Sequence, residues 1–409
     1  MKLLGDRGVV PAVAGSGDME LASRMARLGT ESAFEVLIRA NALEATGRKV
    51  IHLELGEPDF DTPGHITDAA VEALRSGQTH YVQAPGIMPL REAVAAFLSR
   101  TGRMDTSADR VIITPGAKPV MFYAIMALCE EGDEVLYPNP GFPMYESITN
   151  FAGATPVPVP LREENGFRVD PDELASLVTE RTKLLILSSP HNPCGSALSP
   201  EECEAIADLA IRENLVVLTD EVYWAIRYGS RHASVLDVDG MTERTILLDG
   251  WSKTFAMTGW RLGFGVFPHA LTEPVTRVLI NSVSCTSAFS QHAAIAALDG
   301  PWEPVEEMVS EFRVRRDVIV EGLNRIPGVS CVEPPGAFYA FPNVRDLGMS
   351  SKQVQEALLE RAGVACLSGT AFGQEGEGYL RLSYANSVER LRDALEAMEA
   401  VLPEIVSAR

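Results

Sequence analysis

The chain contains 409 residues, of which 46% are hydrophobic and 22% are charged, and these values are ordinary for a soluble globular protein. A chain of this length is too long for one compact core, so we expect two domains. The formal net charge of −21 argues against nucleic acids and anionic membrane surfaces as partners, because both would repel an acidic protein.

The cysteines and the apolar segments indicate where the protein works. The six cysteines are scattered, and none forms a C-x-x-C pair or another spacing typical of a metal site. We therefore expect no metal and reduced, packed thiols. The N-terminus has no apolar signal segment, and no apolar run is long enough to span a membrane. These features predict a cytoplasmic protein.

The N-terminal part of the chain predicts mostly helices. Residues 1–20 are rich in Gly, Ala and Val without a clear period, so we expect a loose arm. The segments that follow are predicted, in order, as a helix, a short strand, a loop and two helices: 21–46, 50–55, 56–63, 67–76 and 86–99.

The middle of the chain alternates strands with helices from about residue 112 to residue 267. Near-continuous apolar runs such as 183–189 are typical of buried parallel strands. The alternation predicts a doubly wound sheet with helices on both faces. The predicted strands begin at residues 111, 134, 183, 215, 245 and 262.

The C-terminal part predicts a second group of helices and short strands. In the second predicted helix we expect Arg313, Arg315 and Arg316 on the solvated side. The predicted elements are, in order, two helices, three strands and a terminal helix: 282–299, 304–326, 334–342, 364–369, 379–385 and 388–401.

The segment from Leu248 to Gly263 surrounds one lysine, Lys253, with small, polar and aromatic residues. A lysine that forms an imine needs a cramped site that favours its neutral amine. Arg261 follows eight residues later, and its planar fork could hold a phosphate. Taken alone, the Ser-Lys-Thr string could equally be a surface lysine.

The whole segment resembles the lysine segment of the fold-type I, class I/II aminotransferases, which use pyridoxal 5′-phosphate (PLP), and it is similar to the aspartate aminotransferase family. The resemblance runs from about Leu21 to the C-terminus. It implies an α/β fold: a large PLP-binding domain with a mostly parallel, doubly wound sheet over 56–300. A smaller α/β domain would combine 21–55 with 301–409, after an N-terminal arm at 1–20.

The resemblance also implies which residues bind the cofactor. Lys253 would be the imine-forming lysine, and Asp220 would pair with the ring nitrogen, which makes the ring an electron sink. The other implied contacts are the phosphate cup, a phosphate-binding serine and arginine, a ring-stacking aromatic, and an amide and a phenol at the ring oxygen: Gly116, Ala117, Lys118, Ser252, Arg261, Phe142, Asn192 and Tyr223.

Three of these positions have a plainer local explanation. Gly116 could be a simple turn before a helix, Phe142 could fill the core, and Asp220 could cap a helix. One position departs from the family, which often has serine three residues before the lysine, where this chain has Gly250. We therefore expect Arg261, the backbone at 116–118 and Ser252 to hold the phosphate.

Tyr81 predicts the oligomeric state. It lies in a Tyr-x-x-x-x-Gly context, and the matching tyrosine of the family crosses a dimer interface to the phosphate of the neighbouring subunit. The resemblance therefore implies a homodimer with active sites at the interface.

The resemblance also implies which residues bind the substrate. The backbone of Gly56, Asn192 and Arg381 would bind the substrate, with Arg381 gripping the α-carboxylate in a bidentate pair. Lys118 resembles a lysine that contacts a distal carboxylate in one aspartate aminotransferase subgroup. Glu35 could pair with Lys118, attract a cationic substrate, or simply face water.

The function that the resemblance implies is transfer of the amino group of an α-amino acid, preferably dicarboxylic or aromatic, to a 2-oxo acid such as 2-oxoglutarate. The alternative is another PLP reaction on the same fold, namely elimination, replacement or ring-forming condensation in secondary metabolism. A PLP-sensing transcription regulator would need a DNA-binding module of about 60–70 basic residues, which an arm over 1–20 cannot contain.

Overall fold

The computed structural model describes residues 20–229 and 231–407, so the predicted arm lies outside the described residues except for Glu20. Its strands, numbered β1 to β12, are Ile51–His52, Val111–Thr114, Glu134–Asn139, Thr155–Pro160, Thr182–Ser188, Val216–Asp220, Thr245–Gly250, Gly263–Val266, Tyr339–Ala340, Val364–Ala365, Leu367–Ser368 and Leu380–Ser383.

The helices surround these strands along the whole described chain. Numbered α1 to α13, they are Ser32–Glu44, Gly64–Arg75, Met88–Arg100, Lys118–Leu128, Met144–Ala152, Pro171–Leu177, Pro200–Arg212, Trp251–Thr254, His269–Val283, Ala288–Asp299, Glu303–Leu323, Ser351–Ala357 and Val388–Ser407. None of the helices in these ranges is both long and apolar enough to cross a bilayer.

A seven-stranded sheet in the order β2-β8-β7-β6-β5-β3-β4 forms the centre. The pairs from β7 through β6, β5 and β3 to β4 are parallel, and β8 runs antiparallel to β2 and β7. This agrees with the predicted α/β fold with a mostly parallel sheet. Successive residues of β5 pack into different cores, Leu184 and Ile186 into one, and Leu185 and Leu187 into another. The sheet is therefore covered on both faces, as its continuous apolar strands predict.

Two small sheets lie outside the central one. Strand β1 pairs in parallel with β10, and β12 lies between β11 and β9. The β1–β10 pairing joins residue 51 to residue 364, so a segment near the N-terminus packs with the C-terminal part of the chain. Their shared core also contains residues of α11 and α13, such as Phe312 and Leu391.

Several predicted elements differ from the structure. The predicted helix 21–46 is interrupted: a 3-10 turn covers Ser23–Arg27, and α1 begins only at Ser32. Between them, the backbone N–H of Gly29 donates to Ser147 Oγ at 2.9 Å, so this stretch is bonded to α5 instead of to itself. The predicted helix 282–299 begins only at Ala288.

The predicted solvent exposure of the α11 arginines is wrong for two of the three. Arg313 is exposed, but Arg315 and Arg316 are buried. Arg315 donates to Asp59 at 2.6 Å and lies over the ring of Phe60, and Arg316 pairs with Glu333 at 3.0 Å. The aliphatic part of an arginine packs on apolar surface while a carboxylate pairs with its charge. A charged residue type therefore does not by itself show that a helix position faces solvent.

Candidate active site

A cavity of about 700 Å³ lies beyond the carboxyl ends of β5, β6 and β7, the edge at which open α/β sheets bind ligands. In the register of the sheet, Ser188 at the end of β5 is opposite Asp220 at the end of β6, and Asp220 is opposite Leu248 of β7. Most of the predicted site residues line this cavity: Gly56, Ala117, Lys118, Phe142, Asn192, Asp220, Tyr223, Ser252, Lys253, Arg261 and Arg381.

Lys253 lies on the short helix α8, directly after β7. Its Nζ donates to the backbone carbonyl of Gly56 at 2.5 Å. The pKa of Lys253 is lowered to about 8, mainly by burial; nearby Arg381 and Arg261 also lower it, and Glu57 opposes them. The lysine is therefore neutral far more often than a surface lysine at neutral pH, as an imine-forming amine requires.

Asp220 stands at the end of β6, buried at the floor of the cavity. The hydroxyl of Tyr145 donates to its Oδ2 at 2.7 Å, and the backbone N–H of Val222 donates to Oδ1 at 3.3 Å. Burial raises the pKa of Asp220 to about 6 although both hydrogen bonds oppose the rise. A carboxylate in this position is ready to accept a cationic N–H partner.

Phe142 lies above the same region, after β3. Its ring is half-buried, lines the cavity and meets the ring of Tyr145 edge-on, with 5.7 Å between centroids. An aromatic face at a cavity wall can cover a flat heterocycle, so the position suits ring stacking better than core filling.

The turn between β2 and α4 forms a cradle with Arg261. Gly116 has a φ of 91°, and a Cβ added there would lie 2.2 Å from Nη2 of Arg261. Only glycine leaves room for the guanidinium against this turn. Arg261 is held by a 2.9 Å bond from Nη1 to the carbonyl of Thr258. Together with the positive N-terminal end of α4, this is a site for a phosphate.

The close surroundings of Gly250 explain why this chain has glycine where serine is common in the family. A Cβ added at Gly250 would lie 3.0 Å from the carbonyl oxygen of Leu262 and 3.0 Å from Cα of Gly263. A larger residue would therefore crowd strand β8. Ser252, two residues later, lines the cavity and offers a hydroxyl in its place.

Arg381 on β12 forms the opposite wall. Its Nη1 donates to Asn192 Oδ1 at 3.3 Å, Nη2 donates to the carbonyl of Glu54, and Nε is buried without a hydrogen-bond partner among the described residues. The guanidinium lies over the ring of Tyr339 at 4.6 Å. Burial lowers its pKa. A buried guanidinium with an unused donor is suited to bind a carboxylate.

Two hydroxyls complete this wall. Those of Tyr223 and Tyr339 lie 2.6 Å apart and both residues line the cavity. Tyr223 was predicted from its place after Asp220. Tyr145 and Tyr339 were not predicted, because they lie on α5 and β9, respectively, and only the tertiary fold brings them to the site. A tyrosine buried at a strand or helix gives no sequence signal that separates a site residue from a core residue.

Three predicted site residues do not line the cavity: Gly116, which borders Arg261 instead, Tyr81 and Glu35. Tyr81 is 91% exposed and does not line it. Glu35 is exposed on α1 and does not line the cavity, so its predicted pairing with Lys118 is not found; its attraction of a cationic substrate stays a prediction. The carboxylate that pairs with Lys118 belongs to Glu31, one turn earlier.

PLP fits these residues. The cradle of Gly116, Ala117 and Arg261 would take its phosphate, Asp220 its ring nitrogen and Lys253 its aldehyde carbon. The crowding at Gly116 and the lowered pKa of Lys253 support this assignment independently of each other. An enzyme that uses PLP on a fold-type I scaffold is thus the class that the fold and the cavity define.

The chain belongs to the family of class I and II aminotransferases, whose model matches residues 48–398. Enzymes of this family depend on PLP and transfer amino groups, and this chain is an aminotransferase of that kind.

Relatives with a similar sequence cover nearly the whole chain. An aspartate aminotransferase of Pyrococcus abyssi is 44% identical over 365 residues, which are 88% of this chain and 94% of the relative. Aromatic-amino-acid aminotransferase 2 of Thermococcus litoralis is 44% identical over 359 residues, 87% of this chain and 92% of the relative. The crystal structure of an aromatic aminotransferase from Pyrococcus horikoshii superposes with a TM-score of 0.85 at 43% identity, covering 89% of this chain and 98% of that one.

The comparisons do not favour elimination, replacement or condensation, because the curated relatives with this similarity are named as aminotransferases.

Proposed function

We propose that this aminotransferase takes a dicarboxylic or an aromatic α-amino acid as donor and a 2-oxo acid such as 2-oxoglutarate as acceptor. The observation that carries the proposal is the lining of the cavity. Two cationic side chains, Arg381 and Lys118, face the same space as an apolar wall made by Phe34 and Leu37. Two cations suit a dicarboxylic substrate, and the apolar wall suits an aromatic side chain.

The relatives support this range of donors, since some of them are named for aspartate and others for aromatic amino acids. PLP, when bound, withdraws electrons from the substrate Cα and accepts the amino group. Within this proposal, Arg381 and Asn192 would bind and orient the α-carboxylate, and the amine of Lys253 would serve as the general base for the substrate Cα proton.

The remaining residues hold the cofactor. Asp220, which accepts a hydrogen bond from Tyr145, would keep a proton on the ring nitrogen, and Tyr223 would bond the ring oxygen. Phe142 would cover the ring. The cradle at Gly116 with Arg261 would bind the phosphate.

A panel of donors tests the proposal. The PLP-loaded enzyme is mixed with L-aspartate, L-glutamate, L-phenylalanine, L-tyrosine, L-alanine or L-lysine, and conversion of the cofactor to its amino form is followed by absorbance. We expect fast conversion with the first four and slower conversion with the last two. A preference for L-alanine or L-lysine over all four would refute the proposed donor range.

We also propose a homodimer with active sites at its interface. Tyr81 is exposed and stands away from the cavity of its own subunit, which leaves its hydroxyl available to the phosphate of a neighbouring subunit. Exposed apolar side chains on α1, namely Phe34 and Ile38, would find cover in such a pair. Sedimentation velocity should give a dimer, and Tyr81→Phe should weaken PLP binding. A fully active monomer would refute this assembly.

The two-domain division and the location in the cell are part of the same proposal. The parallel pairing of β1 with β10 supports a small domain that joins 21–55 with 301–409, next to a large domain over 56–300. Limited proteolysis that releases two fragments, each continuous in sequence and folded, would refute the division.

All six cysteines are unpaired and five of them are buried, which suits a cytoplasmic enzyme.

A further inference from the structure

The outer part of the cavity contains an ion pair that comes entirely from this chain. Nζ of Lys118, at the start of α4, donates to a carboxylate oxygen of Glu31, just before α1. Both residues line the cavity, beside Ala33, Phe34 and Leu37. The Glu31 side chain is 21% exposed and the Lys118 side chain 46%, so the pair lies at the mouth and water can reach it.

The Glu31 side chain bonds Lys118 and does not cap its own helix. It occupies the N-cap position of α1, where a side chain normally accepts a hydrogen bond from the first turn. Its side chain makes no such bond. The backbone of Glu31 is extended, with φ −92° and ψ 114°, and the carboxylate reaches Lys118, which lies 87 residues away in sequence.

The pair shows that Lys118 can hold a carboxylate inside this cavity. The ammonium group of Lys118 lies 5.3 Å from the centre of the Phe142 ring, the wall that would cover the cofactor ring. A carboxylate that binds Lys118 therefore lies next to the expected place of the cofactor ring, in the cavity that Arg381 also lines. Glu31 occupies the place that the second carboxylate of a dicarboxylic substrate would need.

We propose that Glu31 is a specificity-determining residue that competes with the side-chain carboxylate of the substrate for Lys118. The inference rests on the proposed function and refines it. A dicarboxylic donor must displace Glu31 before it can use both cations. An aromatic donor leaves the ion pair closed and packs against Ala33, Phe34 and Leu37. Glu31 thus shifts the preference of the enzyme away from dicarboxylic donors and toward apolar ones.

The size of the effect follows from the strength of the pair. If a ligand binds only when Lys118 is free, its apparent affinity is its intrinsic affinity multiplied by the fraction of molecules in which the ion pair is open. A partly exposed ion pair contributes up to about 1 kcal/mol, which corresponds to about a fivefold excess of the closed form. Removing the charge of Glu31 should therefore tighten dicarboxylate binding by up to about fivefold.

Succinate and butanoate test the proposal, because they have the same chain length and differ in the second carboxylate. Neither contains an amino group, so both bind the PLP-loaded enzyme without reacting. Their dissociation constants are measured by calorimetry for the wild type, for Glu31→Gln and for Glu35→Gln. The last variant is the matched control, because Glu35 lies on the same helix and is exposed.

We expect Glu31→Gln to bind succinate up to about fivefold more tightly, with butanoate unchanged and Glu35→Gln like the wild type. Kcat/KM should rise for L-aspartate in Glu31→Gln but not for L-phenylalanine. An unchanged ratio of succinate to butanoate affinity, an equal gain for both acids, or the same gain in Glu35→Gln would overturn the proposal.

The proposed function and the role of Glu31 can be refuted separately. If the wild-type enzyme converts no aspartate, glutamate or aromatic donor, the proposed function fails. If it converts them but Glu31→Gln does not change the succinate-to-butanoate ratio, only the role of Glu31 fails.

Discussion

Arg103 provides the sharpest test of how the active-site strands are held together. Its Nη1 donates to Asp249 at 2.6 Å and its Nη2 to Glu221 at 2.8 Å. The three side chains are at most 5% exposed, and the guanidinium lies 4.3 Å from the ring centre of Trp224. Glu221 directly follows Asp220, and Asp249 lies in β7 shortly before Lys253, so one arginine joins the ends of β6 and β7.

Arg103→Met keeps the length of the side chain and removes its charge. Removing one partner of a buried ion pair costs about 3–5 kcal/mol of unfolding free energy, because a buried charge loses its partner. Glu221 retains His232 at 2.9 Å, so this loss falls mainly on Asp249. For a domain, each kcal/mol lowers the melting temperature by roughly 2–4 °C. We therefore expect a loss of roughly 6–20 °C by differential scanning calorimetry. Arg325→Met is the matched control, since Arg325 pairs with Glu321 on the surface and such changes cost about 0.5 kcal/mol or less.

The pH dependence of this loss is a second measurement. Burial raises the pKa of Asp249 to about 6 even beside Arg103. For Glu221, burial would raise the pKa too, but His232 and Arg103 outweigh it and hold the pKa well below its usual range. Without Arg103, the folded-state pKa of Asp249 should rise further above its value in the unfolded chain, and that of Glu221 should rise from its low value toward the value in the unfolded chain. A carboxyl with a raised pKa destabilises the fold above that pKa and ceases to do so once protonated.

The stability difference between wild type and Arg103→Met should therefore be largest near pH 8 and should shrink toward pH 5. A loss below about 1 kcal/mol, or a loss that does not depend on pH, would refute the view that Arg103 neutralises two buried carboxylates.

Four further predictions concern the cofactor site. Lys253→Ala should lose turnover by several orders of magnitude and should show no cofactor attached after borohydride reduction and mass spectrometry. In the wild type, the rate of PLP uptake by the apoenzyme should rise as pH increases through about 8, the pKa of Lys253, because only the neutral amine attacks; a flat profile would contradict the lowered pKa. Asp220→Asn should reduce kcat by at least about 100-fold in single-turnover assays with the protein still folded by circular dichroism. Gly116→Val should weaken PLP binding in fluorescence titrations by about 10-fold or more, because its Cβ would meet Arg261, whereas Gly47→Val, at a positive φ but with open space around it, should bind PLP normally.

The central sheet could be predicted because its strands carry a strong local signal. The strands that begin near residues 111, 134, 183, 215, 245 and 263 are continuous apolar runs between glycine turns and amphipathic helices. Strand β4 was not predicted, since its sequence Thr-Pro-Val-Pro-Val-Pro reads as an irregular segment. It is the edge strand of the sheet, next to β3 alone, and an edge strand tolerates proline because its outer N–H groups need no partner.

The candidate site could be predicted only where a residue belongs to a local motif. Lys253, Asp220 and Asn192 stand in short strings at the ends of strands, and the sheet register then brings them together. Tyr145, Tyr339 and Arg103 belong to no such string. Their neighbours are 75, 116 and 146 residues away, and a hydrogen bond over that distance depends on packing that sequence periodicity does not contain.

The residue assigned to substrate specificity depends on where one helix begins. In a continuous helix over 21–46, residues 31 and 35 would share a face, since positions four apart lie above each other, and either carboxylate could then meet Lys118. The bond from Gly29 to Ser147 breaks this helix, and α1 starts at Ser32. Glu31 is left in extended backbone and turns into the cavity, while Glu35 stays on the helix and points to solvent. Because backbone geometry and not charge separates the two carboxylates, Ser147→Ala, which removes the acceptor of the Gly29 N–H, should weaken the Glu31–Lys118 pair and raise the ratio of succinate to butanoate affinity, as loss of the Glu31 charge does.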